Sequence, residues 1–277
     1  IAISLFKYIT TDRINYYEVV EGTSSDETYK SYKGIALRKE SVVNADSSGY
    51  VDYYVREGAR ISLNTTLYSM DADGTINKLL SEMSEKDTTL TDDDITKLKD
   101  KIYTFTNNYD DMDFNEVYNF KNNVQGTVAD LINMNALDSL IKNNSDSQFS
   151  INKARNTGIV LYRFDGYENK KAKELTMDDF RAKNYSSQLV NSGDYVEANE
   201  PIYKSITDDE WSIVVPFTKN EVKKYKDTVG VKIKFNKDNI TTTANIKIVK
   251  GADGNNYGVI TLAKYVVRYA TDRFVNI

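Results

Sequence analysis

Apolar and polar residues alternate at a period of two from Val43 to Met70, again from Lys153 to Tyr167, and again from Ser192 to Ile206, the pattern of half-buried strands. Between these stretches, from Asp73 to Ser150, the period lengthens to three and four. Ile95, Leu98, Ile102 and Phe105 mark one helical stripe, opened by Thr91-Asp92-Asp93-Asp94 as a cap with acids in the first turn. Asn107-Asn108-Tyr109-Asp110-Asp111 breaks it. A second stripe runs through Phe114, Val117, Phe120, Val124, Val128, Leu131 and Ile132, closes with Leu137, Leu140 and Ile141, and stops at Asn143-Asn144-Ser145-Asp146. Two such stripes joined by a short polar turn predict antiparallel helices that seal each other's apolar faces. Gly126 predicts a bend or a close contact in the second.

Period two returns at Trp211–Pro216, at Val231, Ile233 and Phe235, and at Ala244, Ile246 and Ile248. Gly251-Ala252-Asp253-Gly254 predicts a hairpin turn, with Gly258–Leu262 and Tyr265–Tyr269 continuing the sheet. Tyr16–Val20 and Tyr32–Leu37 predict further strands, which bring both chain ends to one side. The charged stretch 169–191 shows no pattern that assigns it a role.

The chain repeats itself. Ala45, Gly49, Val51, Tyr53 and Val55 align with Ala154, Gly158, Val160, Tyr162 and Phe164; beyond an insertion, Gly58, Ile61, Asn64, Leu67 and Tyr68 align with Gly193, Val196, Asn199, Ile202 and Tyr203. Gly49 and Gly158 fall where the chain turns into a strand, and Gly58 and Gly193 where a hairpin needs positive φ. One copy alone leaves its apolar face wet. Two copies facing each other make a small sandwich.

Each copy resembles half of a lipoyl or biotinyl domain, most clearly in Glu57-Gly58-x-x-Ile61-x-x-Asn64-x-x-Leu67-Tyr68. In that carrier family a modified lysine sits in the tight hairpin between the halves; here the junction is the long helical stretch. An insertion at that place resembles the HlyD-like membrane fusion proteins, the periplasmic adaptors, here of a Gram-positive type. The resemblance implies a mainly β fold with an α-helical hairpin: a split lipoyl-like (barrel-sandwich hybrid) domain from residues 43–71 and 151–206, the hairpin at 72–150, and a membrane-proximal β-barrel domain from 1–42 and 207–277. It further implies a non-enzymatic extracytoplasmic adaptor of a transport, secretion or efflux complex. Its hairpin tip, around Tyr109, Asp110, Asp111 and Met112, would contact the partner. Strict heptads are missing, each arm is shorter than the family's long coiled coils, and no arginine lies between Arg60 and Arg155. The basic-tipped motif that docks an outer-membrane channel therefore has no counterpart.

Composition narrows the chemistry. Cysteine and histidine are both absent, which removes disulfides, thiolate or imidazole metal sites, and the Ser/His/Asp and Cys/His nucleophiles. Catalytic residues, cofactor and metal are each expected to be none. The Asp71-Ala72-Asp73-Gly74 run fails as a calcium loop, because Ser69 and Leu80 would hold the first and twelfth ligand positions. Asp92-Asp93-Asp94 and Asp110-Asp111 read as a cap and a solvated loop. No pair of acids is singled out as a glycosidase couple, and the tyrosines read as strand residues with a wet hydroxyl.

A net charge of −5, with lysines scattered among acids, argues against nucleic acid. Cysteine absence suits an exported protein, and abundant Asn, Lys, Ile and Tyr suit an AT-rich, low-GC Gram-positive genome. The stub Ile1–Phe6 is far short of the ~20 apolar residues of a membrane span. It reads either as a first strand or as the end of an anchoring helix that precedes Ile1. The expected partner is a membrane transporter or another envelope protein, and self-association is expected from the same resemblance. The other readings are a structural or regulatory envelope protein of division or wall assembly and, last, a hydrolase or carrier domain.

Overall fold

The strand pairings that close the core of one half-repeat recur in the other, with the partners exchanged. The computed structural model describes residues 30–78, 90–108, 114–143 and 149–277, so the strand expected at Tyr16–Val20 and the tip residues Tyr109–Met112 lie outside the described residues. The strands are β1 (Lys33–Asn44), β2 (Gly49–Tyr53), β3 (Arg60–Ile61), β4 (Thr66–Asp71), β5 (Phe149–Lys153), β6 (Gly158–Leu161), β7 (Arg163–Phe164), β8 (Gln188–Leu189), β9 (Tyr195–Val196), β10 (Pro201–Phe217), β11 (Gly230–Lys234), β12 (Thr241–Lys250), β13 (Asn256–Leu262) and β14 (Phe274–Asn276). The helices are α1 (Asp92–Asn108), α2 (Phe114–Asn143) and the short α3 (Lys219–Tyr225).

β2 pairs with β4 through Val51↔Met70, and β6 pairs with β10 through the equivalent Val160↔Ser205. Across the repeat, Gly49↔Val196 joins β2 to β9, and its counterpart Ile61↔Gly158 joins β3 to β6. The backbone bonds obey the same exchange: Gly58 N–H donates to Val160 O at 2.8 Å and Gly193 N–H to Val51 O at 2.7 Å. The repeat reaches further than the aligned residues. β5 pairs with β4 (Tyr68↔Asn152) as the end of β1 pairs with β10 (Val43↔Tyr203), and a register shift falls at the same place in both ladders. The two copies share one core, in which Ala45, Val51, Leu67 and Tyr68 meet Ala154, Val160, Ile202 and Tyr203.

β1 and β10 do not stop at the edge of this core. Both continue into a second sheet of order β11-β12-β13-β10-β1-β14, so the expected boundaries at 42/43 and 206/207 fall inside continuous strands. A bulge marks the crossing. Arg38 faces Trp211 but Glu40 faces Ile206, leaving residues 207–210 of β10 unmatched. Beyond it, Ala36, Ile213, Val215, Phe235, Ile260 and Leu262 point inward with Trp211, whose ring stacks near Tyr269 at 5.8 Å. The sheet curls until Asn236 N–H, just past β11, donates to Asn276 O of β14 at 3.0 Å.

The hairpin turn at 251–254 joins β12 to β13, with Gly254 at φ +79. Tyr265–Tyr269, expected as strand, is instead a turn. Tyr265 takes φ +68, and the N–H groups of Arg268 and Tyr269 both reach back to its carbonyl, a helical turn that aims Tyr269 into the core before β14 begins. Residues 149–150, expected within the helical stretch, are the start of β5, where pairing with β4 overrides local pattern.

The unassigned charged segment has a place. After Phe164 the chain leaves the repeat, makes three short 3₁₀ turns (Ala172–Glu174, Met177–Phe180, Ala182–Asn184) and lays Tyr167, Leu175, Phe180 and Tyr185 over the outer face of the second sheet. There Ile35, Leu37, Val214, Tyr257 and Val259 receive them. That sheet is thus buried on both faces in this region.

Candidate functional site

Two features can carry function: the helix pair, and the junction where the sheets and the charged segment meet. Helix α1 begins as its sequence predicts. Thr91 Oγ1 accepts from Asp94 N–H at 3.2 Å while Asp94 Oδ2 accepts from Thr91 N–H at 3.1 Å, a reciprocal cap. Asn135 of α2 donates to the same carboxylate at 2.8 Å, and these bonds hold the Asp94 carboxyl at about 2, below its ordinary value. Phe105 stacks on Phe120 at 3.9 Å, and Lys101 reaches Thr127 at 2.8 Å. The contacts pair early residues of α1 with late residues of α2, so the helices run antiparallel.

They do not seal each other as expected. Ile95 and Ile102 remain 38% and 46% exposed, because two helices bury one shared seam and leave the flanks of each stripe to solvent. α2 is anchored to the β core through Arg56. Its guanidinium bonds Asn123 O and Oδ1, both at 2.7 Å, its backbone N–H bonds Asp130 at 3.1 Å, and its side chain crosses α2 at Gly126, where a Cβ would collide with it. Gly126 marks a close contact.

Of the residues singled out in the repeat, Gly58 and Gly193 have φ of +82 and +87, and Gly49 and Gly158 abut the backbone carbonyls of Asp71 and Ile206. Asn64 and Asn199, aligned but given no role, take φ of +68 and +70, which a short polar side chain tolerates better than most. The aligned asparagines were the available signal.

The junction holds a buried cluster that no sequence motif announces. Lys204 Nζ lies 2.7 Å from Glu40, 2.9 Å from Glu168 and 3.8 Å from Asp165. Arg273 binds Glu40 through Nη2 at 2.9 Å and Asp165 through Nε at 2.8 Å, and gives its Nη1 to Ala36 O at 2.7 Å. Arg38 adds a contact to Glu40 at 3.3 Å and spans to the carbonyls of Tyr269 and Asp272. Burial alone would push Glu40 upward; Arg273, Lys204 and Arg38 override it and hold the carboxyl below its ordinary value. Burial and the neighbouring Arg273 lower Arg38 to about 10.

Three cations thus balance three acids. The carboxylate oxygens of Glu40, Asp165 and Glu168 lie within 4.8 Å of one another, spacing that could suit a metal, but the Lys204 ammonium already stands against all three. Glu40 comes from β1, Lys204 from β10, Arg273 from the residue before β14, and Asp165 and Glu168 from the turn that follows β7. The cluster therefore fixes their relative placement, and with buried charges such specificity matters more than net stability.

Where the helical excursion leaves β4, Asp52 and Asp71 are buried with one carboxylate oxygen each unpartnered, Asp52 Oδ2 and Asp71 Oδ1. Asn77 donates to the other oxygen of Asp52 at 2.6 Å. Burial raises the Asp52 carboxyl to about 6, and Asp71 adds to the rise. The folded state thus binds a proton more tightly than the unfolded chain, so stability grows as pH falls through about 6 and levels off near the ordinary aspartate value. Thermal melts at pH 7 and pH 5 check this. The melting temperature is expected to rise on acidification, and Asp52→Asn to be more stable than wild type at pH 7 with that rise removed. An Asp52→Asn variant that kept the full pH dependence would refute the assignment.

Among the described residues no helix is long and apolar enough to cross a membrane. No protein-family model matches the chain, and no curated protein matches it either. Solved structures do. ZneB from Cupriavidus metallidurans is similar over 89% of this chain and 96% of its own, at 8% identity and a TM-score of 0.42. The periplasmic adaptor protein EmrA is similar over 89% and 97%, at 12% identity and a TM-score of 0.41. The membrane fusion protein Spr0693 from Streptococcus pneumoniae R6 is similar over 88% and 97%, at 12% identity and a TM-score of 0.30.

Proposed function

We propose that this chain is a non-enzymatic extracytoplasmic adaptor of membrane fusion type, serving a transport, secretion or efflux complex. In this reading the shared core of the half-repeats is a split lipoyl-like domain, α1 and α2 are its inserted hairpin, and the second sheet is the β-barrel domain. The observation that carries the proposal is the exit of the helices. β4 ends at Asp71 and β5 begins at Phe149, directly paired in register, so residues 72–148 leave and re-enter the core at one point. That is the place where a carrier domain holds its modified lysine. Here an arm stands there in its stead, and an arm suits a connector.

The residues favour binding over catalysis. The chain lacks His and Cys, and the buried acids of the junction are neutralised by Lys204, Arg273 and Arg38. Anchoring by a helix before Ile1 and self-association both belong to the proposal, as does contact with the partner at Tyr109, Asp110, Asp111 and Met112. The test is crosslinking of the membrane-borne full-length protein in cells, followed by identification of its partner. A transporter is expected, with capture lost when all four tip residues become alanine. Unchanged capture by the fourfold variant would remove the tip from the account, and a partner drawn from division or wall assembly would favour the second reading. That reading has one observation behind it: α1 is only 17 residues long, about 25 Å, a short reach for a channel-docking arm.

A further inference from the structure

The charged segment leaves part of the outer face of the second sheet open, as a cleft of about 430 Å3. Leu37, Ser212, Val249 and Val259 are among the residues of its walls, and the Ser212 hydroxyl pairs with that of Thr261 at 3.2 Å. Around it stand Lys39, Lys170, Lys171, Lys173 and Lys247, against one acid, Glu210. Lys170 is engaged by Asp179 and lies over the Tyr167 ring at 4.4 Å. Lys39, Lys171, Lys173 and Lys247 are exposed and make no ion pair among the described residues.

This grouping is not a by-product of a local lysine run. Strand β1 brings Lys39 and strand β12 brings Lys247 to the rim formed by the 170–173 segment, from far apart in sequence. In a chain of net charge −5, four unpaired ammonium groups face one concavity with partly apolar walls. Such a cleft focuses the field of its charges and concentrates anions. Ammonium groups act as point donors well suited to phosphate oxygens, and several together favour a ligand with more than one negative charge. A concavity of about 430 Å3 has room for a compact group and not for an extended nucleic-acid strand.

We propose that this cleft binds a multiply charged phosphate, supplied either by a soluble oligophosphate or by the phosphate of an anionic lipid headgroup. The full chain is titrated with inorganic tripolyphosphate by calorimetry at about 0.1 M salt, and sedimented with phosphatidylcholine vesicles with and without cardiolipin, whose headgroup carries two phosphates. A cleft variant carries Lys39→Gln, Lys171→Gln, Lys173→Gln and Lys247→Gln. A control carries Lys99→Gln, Lys121→Gln, Lys153→Gln and Lys223→Gln, so both lose the same charge from exposed positions. Wild type and control are expected to bind at least one probe, and the cleft variant to bind it about tenfold more weakly with an unchanged melting temperature. Tripolyphosphate binding assigns a soluble ligand; binding to the anionic vesicles alone assigns a lipid. Binding of neither probe, or equal weakening of cleft variant and control, overturns the proposal.

Discussion

Replacing Lys204 with methionine is expected to destabilise the protein by about 3–5 kcal/mol, lowering its melting temperature by roughly 10 °C. Methionine fits the volume but removes the ammonium that stands against Glu40, Glu168 and Asp165, leaving buried negative charge in excess. The loss comes from that uncompensated charge, so it should shrink when Glu168→Gln is added, because the pair of changes restores the balance. Denaturant melts of the single and double variants measure both effects. Equal stability of Lys204→Met and wild type would mean that the cluster is solvated and does not fix the junction.

The second large effect concerns Gly49 and Gly158. A Cβ at either place would press into a backbone carbonyl, that of Asp71 or that of Ile206, and backbone in a paired strand cannot step aside as a side chain can. Gly49→Ala and Gly158→Ala should each cost about 2–3 kcal/mol by overpacking. Their near equality is the point of the comparison, since the two glycines hold equivalent positions in reciprocal ladders. A cost at one site and none at the other would argue that the exchange symmetry of the strands is only approximate in energy.

The sequence revealed the repeat because paired strands demand the same residue at the same step: glycine where backbones touch or φ is positive, an aromatic where Tyr68 and Tyr203 enter the common core. It hid the extension of that repeat into β5, where Phe149–Lys153 matches the end of β1 in pairing but hardly in residue type. Exposed edges of a ladder need backbone, and many side chains serve. The Tyr265–Tyr269 turn was illegible for a related reason, since Tyr, Val and Val look like strand whatever their φ. Helix α1 was readable from its cap and stripe, whereas its exposed Ile95 and Ile102 depend on how wide a seam two helices share. The buried cluster was the least legible feature. Glu40, Lys204, Arg273 and the Asp165/Glu168 turn lie far apart in the chain, and their side chains resemble ordinary surface charges until β1, β10 and the segment after β7 converge. The charged segment of 169–191 gave no period because it packs by scattered anchors, Leu175, Phe180 and Tyr185, on a sheet it does not join.

Two half-repeats that close the β fold by themselves would carry the helices as a separable arm. Replacing residues 72–148 with a two-residue Asn-Gly turn between Asp71 and Phe149 tests it most directly, because those residues already pair and such a turn connects paired strands. The shortened chain should unfold in one cooperative transition and protect the amide hydrogens of Val51, Val160, Gly58 and Gly193 from exchange as the full chain does. Loss of cooperative unfolding, or free exchange at those four amides, would show that the helices are part of the β fold and would contradict the account.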